Sequence, residues 1–183
     1  MSKRSLKKNM KNKTRKNTMI EEIEVLIEVS KNSRAKYEFN KEKNRIELDR
    51  ILHSAVFYPQ NYGYMPNTLC GDGDALDILV LTSEPLQPGT YCYARPICHL
   101  NMVDEKGMDE KVLAVCVNDP FYNDIFEKEE VPQHVYDEIA NFFENYKALE
   151  GDKFAKIQGW TTKQETQALI QKSKADYRKK NKK

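Results

Sequence analysis

Apolar and polar residues alternate along Ile23-Glu24-Val25-Leu26-Ile27-Glu28-Val29, with the odd positions apolar, the period of a half-buried strand. In Lys36-Tyr37-Glu38-Phe39 the aromatics share one face, and Lys36 and Glu38 share the other. Ile46, Leu48 and Arg50 share a face of the next run, so Arg50 is expected to leave its strand on the apolar side. Residues 75–82, 91–103 and 111–117 carry further strand-like runs, and Asn40 to Asn44 reads as the loop of a hairpin. Short strands with turn signals between them predict a small, mostly antiparallel barrel.

The second half changes period. Pro132 suits the first turn of a helix. Val135, Ile139, Phe142, Phe143, Tyr146 and Leu149 then form an amphipathic stripe, and Gly151 suits its end. A second helix with a weaker stripe is expected over about 163–178. There is no internal repeat and no Pro/Gly linker, so residues 19–178 are expected to form one domain. Residues 1–18 read as a disordered basic tail, with Met19 opening the folded part, and 179–183 as a basic C-terminal tail.

Charge sharpens this division. The 183 residues carry a net charge of +2, yet residues 1–17 hold eight basic groups and no acid, leaving 22 basic against 28 acidic groups elsewhere. The body is therefore acidic and the ends basic, and like charges in a run repel one another and stay solvated. With 39% hydrophobic and 32% charged residues, the chain is expected to be soluble. No run approaches the roughly eighteen apolar residues of a membrane span, and no apolar stretch follows the basic start as in a secretory signal. Cys70, Cys92, Cys98 and Cys116 form no Cys-x-x-Cys pair, which argues against zinc and for free thiols in a reducing cytoplasm.

The densest chemistry lies in Gly71-Asp72-Gly73-Asp74-Ala75-Leu76-Asp77, a glycine turn running into the apolar Ile78-Leu79-Val80-Leu81. A lone carboxylate at Asp77 would be buried at a cost of several kcal/mol unless paired or metal-bound, and such hard oxygens suit Mg²⁺ or Mn²⁺. A calcium EF-hand loop is excluded, because positions six and twelve counted from Asp72 are Asp77 and Ser83 rather than Gly and Glu. A second acidic cluster, Asp104-Glu105-Lys106-Gly107-Met108-Asp109-Glu110-Lys111, falls in a hairpin loop. Lys36, Arg50, Lys111 and Lys147 each flank an apolar pattern, and residues 57–66 are rich in tyrosine. Taken one at a time, each lysine reads as solvated surface and each tyrosine as core with a polar tip.

Together these segments resemble the family I inorganic pyrophosphatases, in their short, bacterial-type form. The signature Asp-x-Asp-x-x-Asp followed by three hydrophobic residues is matched by Asp72, Asp74, Asp77 and Ile78-Leu79-Val80. The likeness continues in order through Ile27-Glu28, Lys36-Tyr37-Glu38, Asp49-Arg50, Phe57-Tyr58-Pro59-x-Asn61-Tyr62-Gly63-Tyr64 and Gln87-Pro88-Gly89. It then takes in Asp104-x₄-Asp109-x-Lys111, Phe142-Phe143-Glu144-x-Tyr146-Lys147 and Gly159-Trp160. It spans about residues 20–165 and departs at Ser30 and Ala75, where the family often has proline. The basic N-terminal extension is not a family feature.

The resemblance implies an α+β, mostly β fold: a small antiparallel OB-like five-stranded barrel with about two flanking helices. It implies that Asp72, Asp77, Asp104 and Asp109 hold divalent metal, with Glu28 acting largely through water, and that Asp74 is the general base. Lys36, Arg50, Lys111, Tyr146 and Lys147 match the pyrophosphate-binding groups, Tyr62 belongs to the same site, and Glu38 and Tyr58 support it. The expected reaction is in-line hydrolysis of pyrophosphate to two phosphates without a covalent intermediate, with several Mg²⁺ ions per subunit and Mn²⁺ as a substitute. The expected setting is a cytoplasmic homo-oligomer, with a hexamer favoured, and neither membrane nor nucleic acid as partner. Two alternatives remain: a metal-dependent nucleotide or polyphosphate hydrolase, which would use the same acids, and a nucleic-acid-binding barrel, whose affinity would rest on the basic ends alone.

Overall fold

The structure, a computed structural model, describes residues 21–182, so the expected tail over 1–18 lies outside the described residues. The strands are β1 (Ile23–Val29), β2 (Ala35–Asn40), β3 (Arg45–Ile51), β4 (Asn61–Tyr64), β5 (Asp77–Leu81), β6 (Tyr91–Asp104), β7 (Gly107–Met108), β8 (Lys111–Cys116) and β9 (Ala155–Trp160). The helices are α1 (Gln133–Asn145) and α2 (Lys163–Lys180), with a 3₁₀ turn at Lys128–Glu130 before α1.

Five strands close a ring in the order β1-β4-β5-β8-β6, because β6 also pairs with β1. The mostly β, OB-like architecture expected from the resemblance is what the chain adopts. The ring pairings are antiparallel except β5 with β8, which run parallel with Asp77 opposite Lys111. β6 reaches around the ring because it is 14 residues long, and it shifts register between Pro96 and Cys98. Proline cannot donate to the ladder, so it belongs at such an irregularity. At Gly63 of β4, a side-chain Cβ would lie 1.9 Å from the Leu26 carbonyl oxygen, so only glycine permits β1 and β4 to approach as they do.

Alternate residues of β5 and β8 feed two apolar clusters. Leu79, Leu81, Leu113 and Val115 pack with Ile139, Phe142 and Phe143 of α1. Ile78, Val80, Val112 and Ala114 pack with Ile23, Val25 and Ile27 of β1 and Ile170 of α2. Strands buried on both faces read as continuous hydrophobic runs, which is why Ile78-Leu79-Val80-Leu81 does not alternate. α2 is secured at its start by Thr162 and Glu165, which cap each other's backbone N–H groups. No helix among the described residues is long and apolar enough to cross a membrane.

Several details depart from the sequence expectations. β1 is not half-buried: Leu26 and Glu28, on the nominally polar side, are buried too. Arg50 does not share the face of Ile46 and Leu48. The β2–β3 register places Tyr37 opposite Leu48 but Lys36 opposite Arg50, so Asp49 is an extra residue that turns Arg50 onto the Lys36 side. α1 begins after Pro132, which is its N-cap, and stops at Asn145, so Leu149 is exposed rather than part of the stripe. α2 continues to Lys180, past the expected start of the C-terminal tail at 179. Strands β4, β7 and β9 are additional to those the sequence predicts.

Candidate active site

The charged residues singled out above converge on one cavity of about 490 Å³ at the end of the ring. They arrive from several elements. β1 contributes Glu28, β2 contributes Lys36 and Glu38, β3 contributes Asp49 and Arg50, and β4 contributes Tyr62. The glycine turn before β5 presents Asp72 and Asp74, and β5 opens with Asp77. β6 ends on Asp104, Asp109 precedes β8, and Lys111 opens β8. Tyr146 and Lys147 follow the last turn of α1.

Lys111 stands at the centre. The parallel β5–β8 register puts it beside Asp77, and its ammonium donates to Asp77, to Asp109 Oδ1 at 2.5 Å and to the Tyr62 hydroxyl at 3.4 Å. The rings of Tyr62 and Phe143 lie 5.8 and 5.7 Å from the same nitrogen. Burial pulls this ammonium down, but the carboxylates of Asp77 and Asp109 outweigh it and hold its pKa above the ordinary lysine value. One ammonium cannot neutralise two part-buried carboxylates. Burial, opposed by Lys111 and helped by the charge of Asp77, pushes Asp109 up to about 6.

Lys147 makes the second knot, donating to Asp104 Oδ2 at 2.9 Å and to both Glu105 oxygens at 2.9 and 3.0 Å. Burial disfavours charge on Asp104, but bonds from Lys147 and the Lys106 N–H hold its pKa below the ordinary value. Lys36 donates to Glu38 and, at 3.1 Å, to Asp49. Arg50 reaches Asp49 at 2.5 Å and Glu150 at 2.9 Å. Glu28 accepts the Phe39 N–H at 2.7 Å, tying the β2–β3 hairpin to the ring, and burial raises its pKa to about 7.

The acidic turn differs from these knots. The Asp74 side chain remains 68% exposed, with Lys106 its ion-pair partner at 3.5 Å. Asp72 accepts the Asp74 N–H at 3.1 Å, shaping the turn. Behind it, the buried Thr68 hydroxyl donates to Met65 O at 2.5 Å and accepts the Leu76 N–H at 2.9 Å, holding the two ends of the turn together.

Of the fourteen residues expected at the site, Tyr58 alone does not line the cavity. Its ring lies behind the wall, 5.3 Å from Tyr62 and 4.6 Å from Phe142. Sequence reasoning assigned no role to Lys41, Glu105, Lys106 and Lys153, which also line it, or to Glu150, which orients Arg50. Glu105 lay inside a cluster already noticed. Glu150 carries no local signal, because it meets Arg50 across 100 positions of sequence.

Among the described residues, no three His, Cys, Asp or Glu side chains are gathered as a ready metal cage, and the two lysine knots stand among the carboxylates. The donor set nonetheless fits hard divalent cations. Glu28, Asp72, Asp77, Asp104 and Asp109 offer only oxygen, and a divalent cation would offset the burial that raises the pKa of Glu28 and Asp109. Carboxylates interleaved with lysines and an arginine can receive a multiply charged anion together with such cations.

Comparison with known proteins agrees with this class of site. The sequence profile described as inorganic pyrophosphatase matches residues 25–178, and the chain belongs to that family. It is 48% identical over 158 residues to an inorganic pyrophosphatase of Methanosarcina acetivorans, covering 86% of this chain and 94% of that one. With the Geobacillus stearothermophilus inorganic pyrophosphatase it shares 45% identity over 155 residues, 85% of this chain and 93% of the other. The crystal structure of the Thermus thermophilus inorganic pyrophosphatase superposes with a TM-score of 0.84 at 41% identity, covering 86% of this chain and 92% of that one.

Proposed function

We propose that this chain hydrolyses inorganic pyrophosphate to two orthophosphates as a Mg²⁺-dependent enzyme, with Mn²⁺ able to substitute. The observation that carries this reading is the Lys111 knot between Asp77 and Asp109, in a cavity lined by every charged residue that the resemblance assigns to the site. Glu28, Asp72, Asp77, Asp104 and Asp109 would hold the metal. When bound, divalent ions supply charge neutralisation and a water acidic enough to react near neutral pH.

This chain's own residues do the rest. Lys36, Arg50, Tyr62, Lys111, Tyr146 and Lys147 bind and align the two phosphoryl groups, and the cations exchange carboxylate partners for phosphate oxygens. Glu38 supports this set by pairing with Lys36, and Tyr58 by packing behind Tyr62. Asp74, the most open of these carboxylates toward water, takes the proton from the attacking water. Transfer is then in line to water, without a covalent enzyme intermediate. The resemblance to the short, bacterial-type form supports a cytoplasmic homo-oligomer, a hexamer, built on a single domain over 19–178.

The test is phosphate release from pyrophosphate with Mg²⁺ and with excess EDTA, on the wild type and Asp74→Asn. Rapid Mg²⁺-dependent release that the variant loses supports the reading. A folded wild type that spares pyrophosphate but cleaves ATP or tripolyphosphate replaces it with the nucleotide or polyphosphate hydrolase.

A further inference from the structure

A second groove of about 380 Å³ lies against the active cavity, between the C-terminal end of α2 and the turn that carries Asp72 and Asp74. Its lining contrasts sharply with its neighbour's. Carboxylates crowd the active cavity, yet among the described residues none lines this groove. Its cations are Lys41 and Lys180. In the active cavity Lys36, Arg50, Lys111 and Lys147 all bond to carboxylates, whereas Lys41 and Lys180 form no ion pair among the described residues. Lys41 instead lies 5.7 Å over the Tyr64 ring.

Two aromatic rings, Tyr64 and Tyr177, and the apolar Pro66 and Leu69 complete the groove. Cations without a carboxylate partner among the described residues, next to tyrosine rings and apolar surface, match an anion with a flat organic body. The size falls within the roughly 300–1,000 Å³ range of small-ligand sites. A bare phosphate would leave the rings and the apolar wall unused.

We propose that this groove binds a nucleoside monophosphate, with the phosphate between Lys41 and Lys180 and the base against Tyr177. The site is also placed to influence the reaction. Gly73 and Ala75 line the groove, and Asp72 and Asp74 flank them on the active-cavity side. Lys41, Tyr64 and Ala75 belong to both walls. A ligand seated here contacts the backbone of the turn, so occupancy alters how Asp72 and Asp74 are presented and shifts the KM for pyrophosphate.

The test is AMP binding to the full chain by calorimetry, with a non-hydrolysable pyrophosphate analogue and Mg²⁺ saturating the active cavity. The variants are Tyr177→Ala and Lys180→Ala, neither of which touches the active cavity. Saturable AMP binding, weakened about tenfold by each substitution, supports the proposal. Lys180→Arg keeps the charge and should retain binding, which separates lost anion contact from a damaged α2 end. Absence of AMP binding, AMP binding indifferent to both substitutions, or orthophosphate binding as tightly as AMP would each overturn it. Because binding is read directly, the result stands apart from whether pyrophosphate is the substrate.

Discussion

The two walls of the active cavity are built on opposite terms. On one side, Asp77 and Lys111 are anchored on the parallel β5–β8 pair with Asp109 just before β8, and the lysine is 4% exposed at its side chain and bonded to both acids. On the other, Asp74 rides a glycine turn and is 68% exposed. The buried wall sets a charge lattice that cannot relax without cost, because removing one member leaves the others unpaired with only partial access to water. The open wall presents a carboxylate to water with little structural penalty. A site that must first bind a highly charged anion and then move a proton uses both kinds of group.

The contrast is most sharply broken at Lys111. Lys111→Met leaves Asp77 and Asp109 without their cation and is expected to destabilise the fold by about 3–5 kcal/mol, read by urea unfolding at neutral pH. The deficit should shrink as pH falls and Asp109 takes up a proton, and a pH-independent deficit would point to lost packing instead. On the open wall, Asp74→Asn is expected to lower kcat by a factor on the order of 10²–10⁴ while unfolding stays within about 0.5 kcal/mol of wild type. Equal damage to stability in the two variants would erase the distinction between the walls.

A smaller effect is expected behind the turn. Thr68→Val removes the acceptor for the buried Leu76 N–H and should cost about 1–3 kcal/mol in unfolding experiments. It should raise KM as the turn loosens, and an unchanged KM would show that the backbone bonds from Cys70 N–H to Asp74 O and from Met65 N–H to Leu76 O hold the turn without it.

The smallest expected effect is a pH slope. Glu28 has its pKa raised by burial from 4.5 to about 7, so the folded state binds more protons than the unfolded chain between those values. Its contribution therefore makes the metal-free protein lose stability as pH rises through that window. Thermal melts in EDTA should show that slope, Glu28→Gln should flatten it, and Mg²⁺ should reverse it.

Much of this site was legible in one dimension because its residues contradict their surroundings. Asp77 interrupts an apolar run, and Lys111 heads another, so burial of charge was implied before any fold was known. What failed did so for identifiable reasons. Arg50 was assigned to the wrong face because period-two alternation takes no account of the extra residue at Asp49. β9 was missed because Ala155-Lys156-Ile157-Gln158-Gly159-Trp160 is short and only partly buried, and its glycine sits at φ 118°, where the pairing with β6 shifts register.

The sequence by itself determined the supply of chemistry: an acidic turn, cations beside apolar runs, and strands buried on both faces, because hydrophobic periodicity and buried charge are local properties. Only the tertiary structure decided the pairings. Lys111 meets Asp77 because two strands far apart in sequence run parallel in one register, and Glu150 meets Arg50 across 100 positions. That register follows from which faces of β5 and β8 must be buried beneath α1 and against β1, a condition on the whole ring that no short segment carries.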